Sequence, residues 1–411
     1  MRILIFSQYY WPENFIINNL SYLLIDRGIE INVLTGKPNY PEGKIYSGYS
    51  AKGTQREIQR RILINRVPII PRGKNSKIRI FLNYLSFVFS TLIFGPAIVK
   101  NLEYDLIFVF APSPLLQALP AIYLSRKRNV PLVLWVQDLW PESLKSTGNI
   151  KNKIILEIIT SIVRKIYKYS DLILLQSKGF FDPVLKLVNN PKKVRYFPNL
   201  FDPNTSSEVS LNGKKLLIEL HSNFSVVFAG NLGVAQDIDT IIEAARILNN
   251  HPEIKIFLVG SGNQYDWILK QKNELKLNNL ILAGRYEQSD MYHIFQASDA
   301  LLVTLRSDET FSLTIPSKVQ AYLSARIPII AALEGEGRRI ILDSGAGICS
   351  KPGDVISMVE NILKLFAMSD VERKTMGENG GKYFEENFSS NKLTDELIDY
   401  FNELVNKDLY K

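Results

Sequence analysis

The 411-residue chain has little cysteine, little histidine and, in its first half, little acid. Its single cysteine, Cys349, excludes a disulfide framework and a cysteine metal cluster, and suits a reducing compartment. The three histidines, His221, His251 and His293, all lie in the second half, so the first half offers no imidazole for proton transfer. Residues 1–200 hold 28 Lys and Arg against 12 Asp and Glu, and the remainder holds 21 against 29. The net charge of +8 thus hides a basic half and an acidic half, and the basic half suits an anionic partner. No helix-turn-helix, zinc-finger or aromatic RNA-binding pattern accompanies the charge, so nucleic acid is not the expected partner. The strand-like run RILIF begins at residue 2, and no secretory signal is expected.

What is present is an apolar content of 46% with 22% charge, a globular balance, in a chain long enough for two domains. A strand at 2–7, a helix from Phe15 to Arg27 and a strand from Glu30 to Thr35 predict a βαβ start and a parallel sheet. The loop SQYYWPENF lies between the first strand and its helix. Doubly wound sheets bind ligands at such loops, so Trp11, Pro12, Glu13 and Asn14 are candidate site residues, with Asn14 also a helix cap. The alternation resumes with strands at Asp105–Phe110 and Leu132–Val136. After the latter comes Gln137-Asp138-Leu139-Trp140-Pro141-Glu142-Ser143. An indole can stack on a sugar and a carboxylate can take a hydroxyl proton, so Asp138, Trp140 and Glu142 join the candidates. Capping by Asp138 and core packing by Trp140 stand as the plain alternative. Helices at 152–169 and 178–188 and strands at 171–175 and 194–197 follow, and the polar run Asp202–Ser210 reads as a linker.

Between Lys52 and Arg79 nine residues are Lys or Arg against one acid, Glu57. Phe81 to Val99 then runs nineteen residues without a charge. That just reaches spanning length, but Asn83, Ser86, Ser90 and Thr91 interrupt it and Gly95-Pro96 should break its last turn. A basic flank beside an aromatic, apolar helix describes an interfacial anchor, which is favoured over a buried crossover helix or a true span. Residues 52–99 are therefore expected to meet an anionic membrane surface.

The second half repeats strand, glycine turn and helix. Val226–Ala229 ends in Gly230-Asn231-Leu232-Gly233, Ile254–Val259 in Gly260-Ser261-Gly262, Leu280–Ala283 in Gly284-Arg285, and Ala300–Thr304 in a polar loop. These ends should share one edge of a parallel sheet. Pro316 and Ser317 suit a helix start, with Lys318 in its first turn and a strand at 327–332. Glu334-Gly335-Glu336-Gly337 reads as an acidic turn before a second helix that stops at Gly345-Ala346-Gly347. A helix N-terminus, a lysine and glycine turns make a cradle for a phosphorylated ligand, though the same pattern also serves as ordinary punctuation. Asp237-Ile238-Asp239 resembles a metal-binding string but opens a helix, where capping is the expected role, so no metal site and no cofactor are expected. Helices at 353–368, 370–386 and 391–407 end the chain.

With that layout the chain resembles the GT-B-fold glycosyltransferases of family 4, in the WbuB-like branch of O-antigen and capsule assembly. The carriers are SQYYWPE at 7–13, LTGKPNYPEGKIYSGY at 34–49, VQDLWPESL at 136–144, FAGNLGVAQDIDTIIEAA at 228–245 and PSKVQAYLSARIPIIAALEGEG at 316–337. The resemblance implies two doubly wound, Rossmann-like α/β domains facing a cleft, an acceptor domain at 1–200 joined by the terminal helix at 391–411, and a donor domain at 201–390. It implies a nucleotide-sugar donor, such as a UDP-N-acetyl-deoxyhexose of the L-fucosamine type. It also implies a lipid-linked saccharide acceptor at the cytoplasmic face of a bacterial inner membrane. The donor would contact Gly230, Asn231, Gly233, Gly260, Ser261, Gly262, Arg285, Ser317, Lys318, Glu334, Gly335, Glu336 and Gly337. The acceptor would contact Trp11, Pro12, Glu13, Asn14, Trp140 and Glu142, with Lys318 steadying the leaving diphosphate and Asp138 or Glu13 as the base. In a retaining front-side path, the resemblance also allows the donor phosphate to take the proton. The chain departs from the family pattern at Leu313 and Ala321, where that pattern places glutamates. A non-catalytic partner subunit and a UDP-sugar 2-epimerase therefore stand as alternatives, the latter disfavoured by the lack of histidine in the first half.

Overall fold

The computed structural model describes residues 1–74, 76–146, 152–203 and 208–408. The chain divides into two units, Met1–Leu200 with Ser390–Lys411, and Phe201–Ser389. Part of the predicted linker (204–207) and the last three residues of the predicted terminal segment lie outside the described residues, as does Asn75 of the predicted membrane-facing stretch.

The first unit is built on β1 (Arg2–Phe6), β2 (Glu30–Thr35), β3 (Gln55–Gln59), β4 (Ile62–Arg66), β5 (Leu106–Ala111), β6 (Leu132–Val136), β7 (Leu172–Leu175) and β8 (Val194–Tyr196). They form one sheet in the order β3-β4-β2-β1-β5-β6-β7-β8. Every pair is parallel except β3 on β4. The central strands LIFVFA and LVLWV are buried along their whole length, as strands covered by helices on both faces must be. The edge strand β3, QREIQ, alternates half-buried and exposed residues and carries charge, which blunts the sheet edge. Strand order reverses about β1, between β2 on one side and β5 on the other.

The helix Ser390–Asp408 returns to this unit. Leu393, Leu397 and Phe401, spaced four apart on one face, join the core of Ile17, Leu20, Leu24 and Phe108, and the Phe401 and Phe108 rings meet at 5.3 Å. Arg27 adds an ion pair to Asp395.

The second unit has β9 (Phe224–Ala229), β10 (Ile254–Val259), β11 (Leu280–Gly284), β12 (Ala300–Thr304), β13 (Ile329–Ala332) and β14 (Gly347–Ser350). The order is β11-β10-β9-β12-β13-β14, all parallel, and it reverses between β9 and β12. Two apolar clusters cover the two faces of this sheet, one on Ile241, Leu248 and Ile362, the other on Tyr322, Ile340 and Phe384.

Several local expectations change. The apolar helix runs from Lys77 to Ile98 and continues through Pro96, whose predecessor Gly95 still accepts a bond from the Val99 amide at 2.9 Å. It is one-sided: Asn83, Phe87, Thr91 and Gly95 are buried at fourfold spacing, while Ile78, Phe81, Phe89 and Ile93 are each more than half exposed. By length and composition it could cross a membrane. Asn14 caps nothing, because the helix starts at Ile16 and Asn18 instead bonds back to the Glu13 carbonyl at 2.7 Å. Asp237 sits before its helix in a left-handed conformation and bonds Thr240 and the Gly353 amide, not the helix amides. The predicted acidic turn at 334–337 is the start of a helix, Gly335–Asp343, because Glu336 pairs with Arg339 one turn on and Ile340 and Ile341 reach the core. The residues after it form β14, which is too short and glycine-led for periodicity to detect. The predicted helix at 178–188 is shorter and ends at Leu185. The helices Leu211–His221 and Gln288–Gln296 were not anticipated, since their apolar stripes are narrow.

Phe401→Ala removes a fully buried ring at the point where the terminal helix meets the sheet. It should destabilise the first unit by about 3–5 kcal/mol in urea denaturation. A loss under about 1 kcal/mol would mean that the helix does not contribute to that core.

Candidate active site

In the second unit the carboxyl ends of β9 and β10 touch. A Cβ on Gly260, which has φ of +144°, would lie 1.9 Å from the Gly230 carbonyl oxygen, and one on Gly262 would lie 2.2 Å from the Leu232 oxygen. Only glycine lets these loops close against each other. Gly230 and Asn231 are left exposed at the edge, with Gly233 buried behind them. Lys318, in the first turn of the helix Ser317–Ser324, lies across this place. Its ammonium sits 3.7 Å from the Phe228 ring centroid and donates to the Gln236 side chain, and its stem lies against Gly230. Burial pulls the amine down to about 7. Among the described residues it makes no ion pair. Phe228 and Gln236 complete this seat and carry no sequence signal of their own.

The remaining predicted donor residues are placed as follows. Ser261, Arg285, Ser317, Glu334 and Gly335 are exposed. Arg285 lines an open pocket of about 770 Å³ with Ser210, Tyr286 and Asp290. Glu334 accepts from Ser307 at 3.0 Å beside the end of β12. Glu336 is buried on Arg339, so its carboxylate turns into its own helix, and Gly337 is buried against Pro316. Leu313 ends the short helix Glu309–Leu313, and Ala321 packs against the apolar core, with no carboxylate at either place. Among the described residues no group of three His, Cys, Asp or Glu could hold a metal ion.

In the first unit the loops after β1, β2, β4, β5 and β6 share one edge. Four cis prolyl bonds lie there, at Trp11-Pro12, Tyr40-Pro41, Ser113-Pro114 and Trp140-Pro141. Arg66, fully buried at the end of β4, pairs with Glu57 at 2.5 Å and donates to the carbonyls of Gly36 and Trp11. Glu13 is 1% exposed. It accepts from the amides of Asn39 (2.8 Å), Tyr40 (2.7 Å) and Tyr10 (3.3 Å). Burial raises it to about 7 despite those bonds. Trp11 and Pro12 are half-buried and Asn14 is exposed. Trp140 is buried, its indole donating to Asp138 at 3.2 Å, so it braces that carboxylate and leaves little ring face for a sugar. Asp138 is raised by burial, against bonds from Ser143, Ser113 and Trp140. Glu142 opens the helix Glu142–Ser146.

A second cation stands on this edge. Arg72 donates to the Tyr9 hydroxyl at 3.2 Å, and its guanidinium carbon lies 5.4 Å from the Tyr40 ring centroid and 5.9 Å from that of Tyr84. Its amide donates to Asn39, whose side chain also meets Asn83 of the long helix. The basic run contains Arg72, but spacing alone does not separate it from its eight neighbours.

Residues 215–383 match the family described as Glycosyl transferases group 1. The chain is 21% identical over 383 residues to the Escherichia coli K12 putative colanic acid biosynthesis glycosyl transferase WcaI, covering 88% of this chain and 91% of that one. It is 24% identical over 182 residues to the E. coli O-antigen chain mannosyltransferase C, covering 44% and 46%. Its fold is similar to that of Anabaena HepE crystallised with UDP (TM-score 0.71, 15% identity, 98% of this chain and 100% of that one). It is also similar to that of sucrose-phosphate synthase from Thermosynechococcus elongatus (TM-score 0.70, 14% identity, 98% of each chain). The fold is GT-B, the second unit carries a glycosyl transferases group 1 domain, and the chain is a glycosyltransferase.

A buried glutamate near 7 has a definite linkage sign. Its folded value lies above the ordinary one, so the stability it confers is complete below the unfolded value near 4.5 and is lost as pH rises through about 7. The loss amounts to at most about 3 kcal/mol by pH 8. Glu13→Gln should flatten the fall in unfolding free energy of the first unit between pH 5 and 8. An unchanged slope would show that Glu13 is ionised throughout.

Proposed function

We propose that the chain moves a sugar from a nucleoside-diphosphate sugar held by the second unit to a saccharide acceptor held at the sheet edge of the first. The product would enter a bacterial surface polysaccharide. The single observation that carries the reading is Lys318, a partly buried lysine seated on Phe228 and Gly230 at the point where strand order reverses. Relatives named for colanic acid and O-antigen synthesis support the polysaccharide, and a fold neighbour crystallised with UDP supports a uridine nucleotide. Within this reading the WbuB-like branch, and a UDP-N-acetyl-deoxyhexose of the L-fucosamine type, are the finer proposal.

The chemistry asks for three things. The bond from the anomeric carbon to the diphosphate breaks, a bond to the acceptor oxygen forms, and the acceptor proton leaves. Lys318, recharged by the incoming anion, and the amides of the β9 loop and of the Ser317 helix start offset the leaving charge. Asp138 is the proposed base. Burial raises its proton affinity, and Ser113, Ser143 and Trp140 orient it. Glu13, clamped by three amides, positions the Asn39 and Tyr40 loop beneath the acceptor. With Lys318 as the cation, transfer is proposed to need neither metal nor cofactor, and activity should survive EDTA.

The acceptor is proposed to be lipid-linked and the protein peripheral on the cytoplasmic face of the membrane. The exposed face of Lys77–Ile98 beside the basic run 52–79 supports that. One observation favours a second reading, a partner subunit without turnover: Leu313 and Ala321 stand where family 4 carries glutamates.

Three measurements test these proposals. UDP should raise the thermal midpoint, and Lys318→Ala should weaken UDP at least about tenfold in calorimetry. Unchanged affinity would remove Lys318 from the site. Because the free amine lies near 7 and the bound one returns toward its ordinary range, binding should take up about half a proton at pH 7 and close to one at pH 8. Affinity therefore falls as pH rises from 7 to 9, and Lys318→Arg should abolish the uptake. Third, Arg61→Glu with Lys74→Glu and Lys77→Glu should release the protein from vesicles containing phosphatidylglycerol. Persistent co-sedimentation would refute the basic anchor. UDP binding without transfer to any lipid-linked saccharide would favour the partner subunit.

A further inference from the structure

A half-buried guanidinium normally faces a carboxylate, because desolvating a cation without an anion is costly. Arg72 faces three tyrosines instead. Its NH1 meets the Tyr9 hydroxyl, Tyr40 and Tyr84 stand around it, and among the described residues no Asp or Glu pairs with it. Ring faces offset part of the charge but do not use the donor fork. One hydroxyl satisfies NH1, and no hydrogen bond from NH2 or Nε is seen among the described residues. The cage is rigidly built. Tyr9 stacks on Phe15 at 5.1 Å and contacts Tyr40 at 5.6 Å, and the Arg72 amide is tied to Asn39, which is tied to Asn83. Tyr84 interacts with Tyr9 and Ser113, and Ser113 with Asp138, so the cage adjoins the proposed base.

We propose that Arg72 in its tyrosine cage is an anion site, and that it takes a phosphate group of the acceptor. A planar fork fits two phosphate oxygens, and tyrosine hydroxyls can donate to a third. A group of more than one negative charge suits the place, because Lys74, Lys77 and Arg79 follow within seven residues and Lys74, Lys77 and Arg79 are exposed. The exposed apolar residues Ile78, Phe81 and Leu82 lie beside and just after them. The sequence of features is a caged cation, a basic run and an apolar helical face. It matches the order of parts in a phosphate joined to a hydrocarbon chain, and a free phosphate on a saccharide shares the same headgroup chemistry. This inference rests on the acceptor reading of the first unit.

The test is calorimetry on the full chain with the second unit saturated by UDP, using inorganic pyrophosphate and farnesyl diphosphate below its micelle threshold. Wild type should bind farnesyl diphosphate, and Arg72→Gln should lose about 10- to 100-fold in affinity. Arg72→Lys, which keeps the charge and loses the fork, should fall between them. Equal binding of pyrophosphate, with the same loss in Arg72→Gln, assigns the site to phosphate alone. Binding of only the farnesyl compound assigns it to a lipid phosphate. UDP affinity and the thermal midpoint of each variant are read alongside. If UDP binds normally and Arg72→Gln with a native midpoint holds either probe as wild type does, the anion site is overturned. So it is if neither probe binds wild type. Should Arg72→Gln not fold, Arg72→Lys and Tyr9→Phe give the comparison, each expected to weaken the probe. Failure of UDP to bind would strike the donor reading, while the Arg72 comparison still decides the anion site.

Discussion

A Cβ at Gly260 would stand 1.9 Å from the carbonyl oxygen of Gly230, and the candidate site of the second unit depends on the absence of that one carbon. Because the two loops close, the end of β9 is flat and open where strand order reverses, and Lys318 lies across it. The ring of Phe228 and the amide of Gln236 hold the ammonium without neutralising it. Such a seat is a poor place for a charge and a good one for a charge that is about to meet an anion. Burial lowers the amine to about 7, and a diphosphate, if it binds there as proposed, would offset that desolvation. In the proposed reaction these groups are preorganised and need not reorganise as charge develops.

The first unit solves a related problem differently. Its loops after β1, β2 and β4 are irregular and partly buried, so their backbone groups need partners inside the protein. Arg66 supplies several at once, to Trp11, Gly36 and Glu57, and Glu13 supplies three more to Tyr10, Asn39 and Tyr40. One buried cation and one buried acid therefore fix the loops that carry the aromatic residues of the proposed acceptor edge. Asp138 is held mainly by side chains, two hydroxyls and an indole, with one backbone bond from Leu139 against the three that clamp Glu13. In the proposed reaction Asp138 is the base and Glu13 the scaffold.

The architecture was legible because parallel strands buried on both faces leave uninterrupted apolar runs. LIFVFA and LVLWV read as strands with no help from context, as did the glycine turns after β9 and β10. The acidic string Glu334-Gly335-Glu336-Gly337 misled, since glycine at both ends of a helix start looks like a turn and the Glu336–Arg339 pair appears only once the helix exists. The long apolar helix was expected to break at Gly95-Pro96, yet it continues through Pro96 to Ile98, and the Val99 amide still bonds the Gly95 carbonyl. Of the candidate site, the glycines and Lys318 that meet at the ends of β9 and β10 carry a sequence signal. Gln236, Phe228 and the tyrosine cage do not, because their roles arise from residues far apart in the chain meeting at one sheet edge.

The choice of cation on the two edges is itself informative. A lysine can be held near neutrality by burial, so its charge can appear with the ligand and give a binding site sensitive to pH. An arginine stays charged through any accessible pH, and a cage of rings steadies it without removing its fork. Lys318 thus suits a group whose charge changes as a bond breaks, and Arg72 suits a group whose charge is constant while the acceptor is held. Exchanging the two residues would preserve net charge in each unit and lose both properties. The donor edge would gain a permanent unpaired charge against Phe228, and the acceptor edge would hold an amine that burial could discharge.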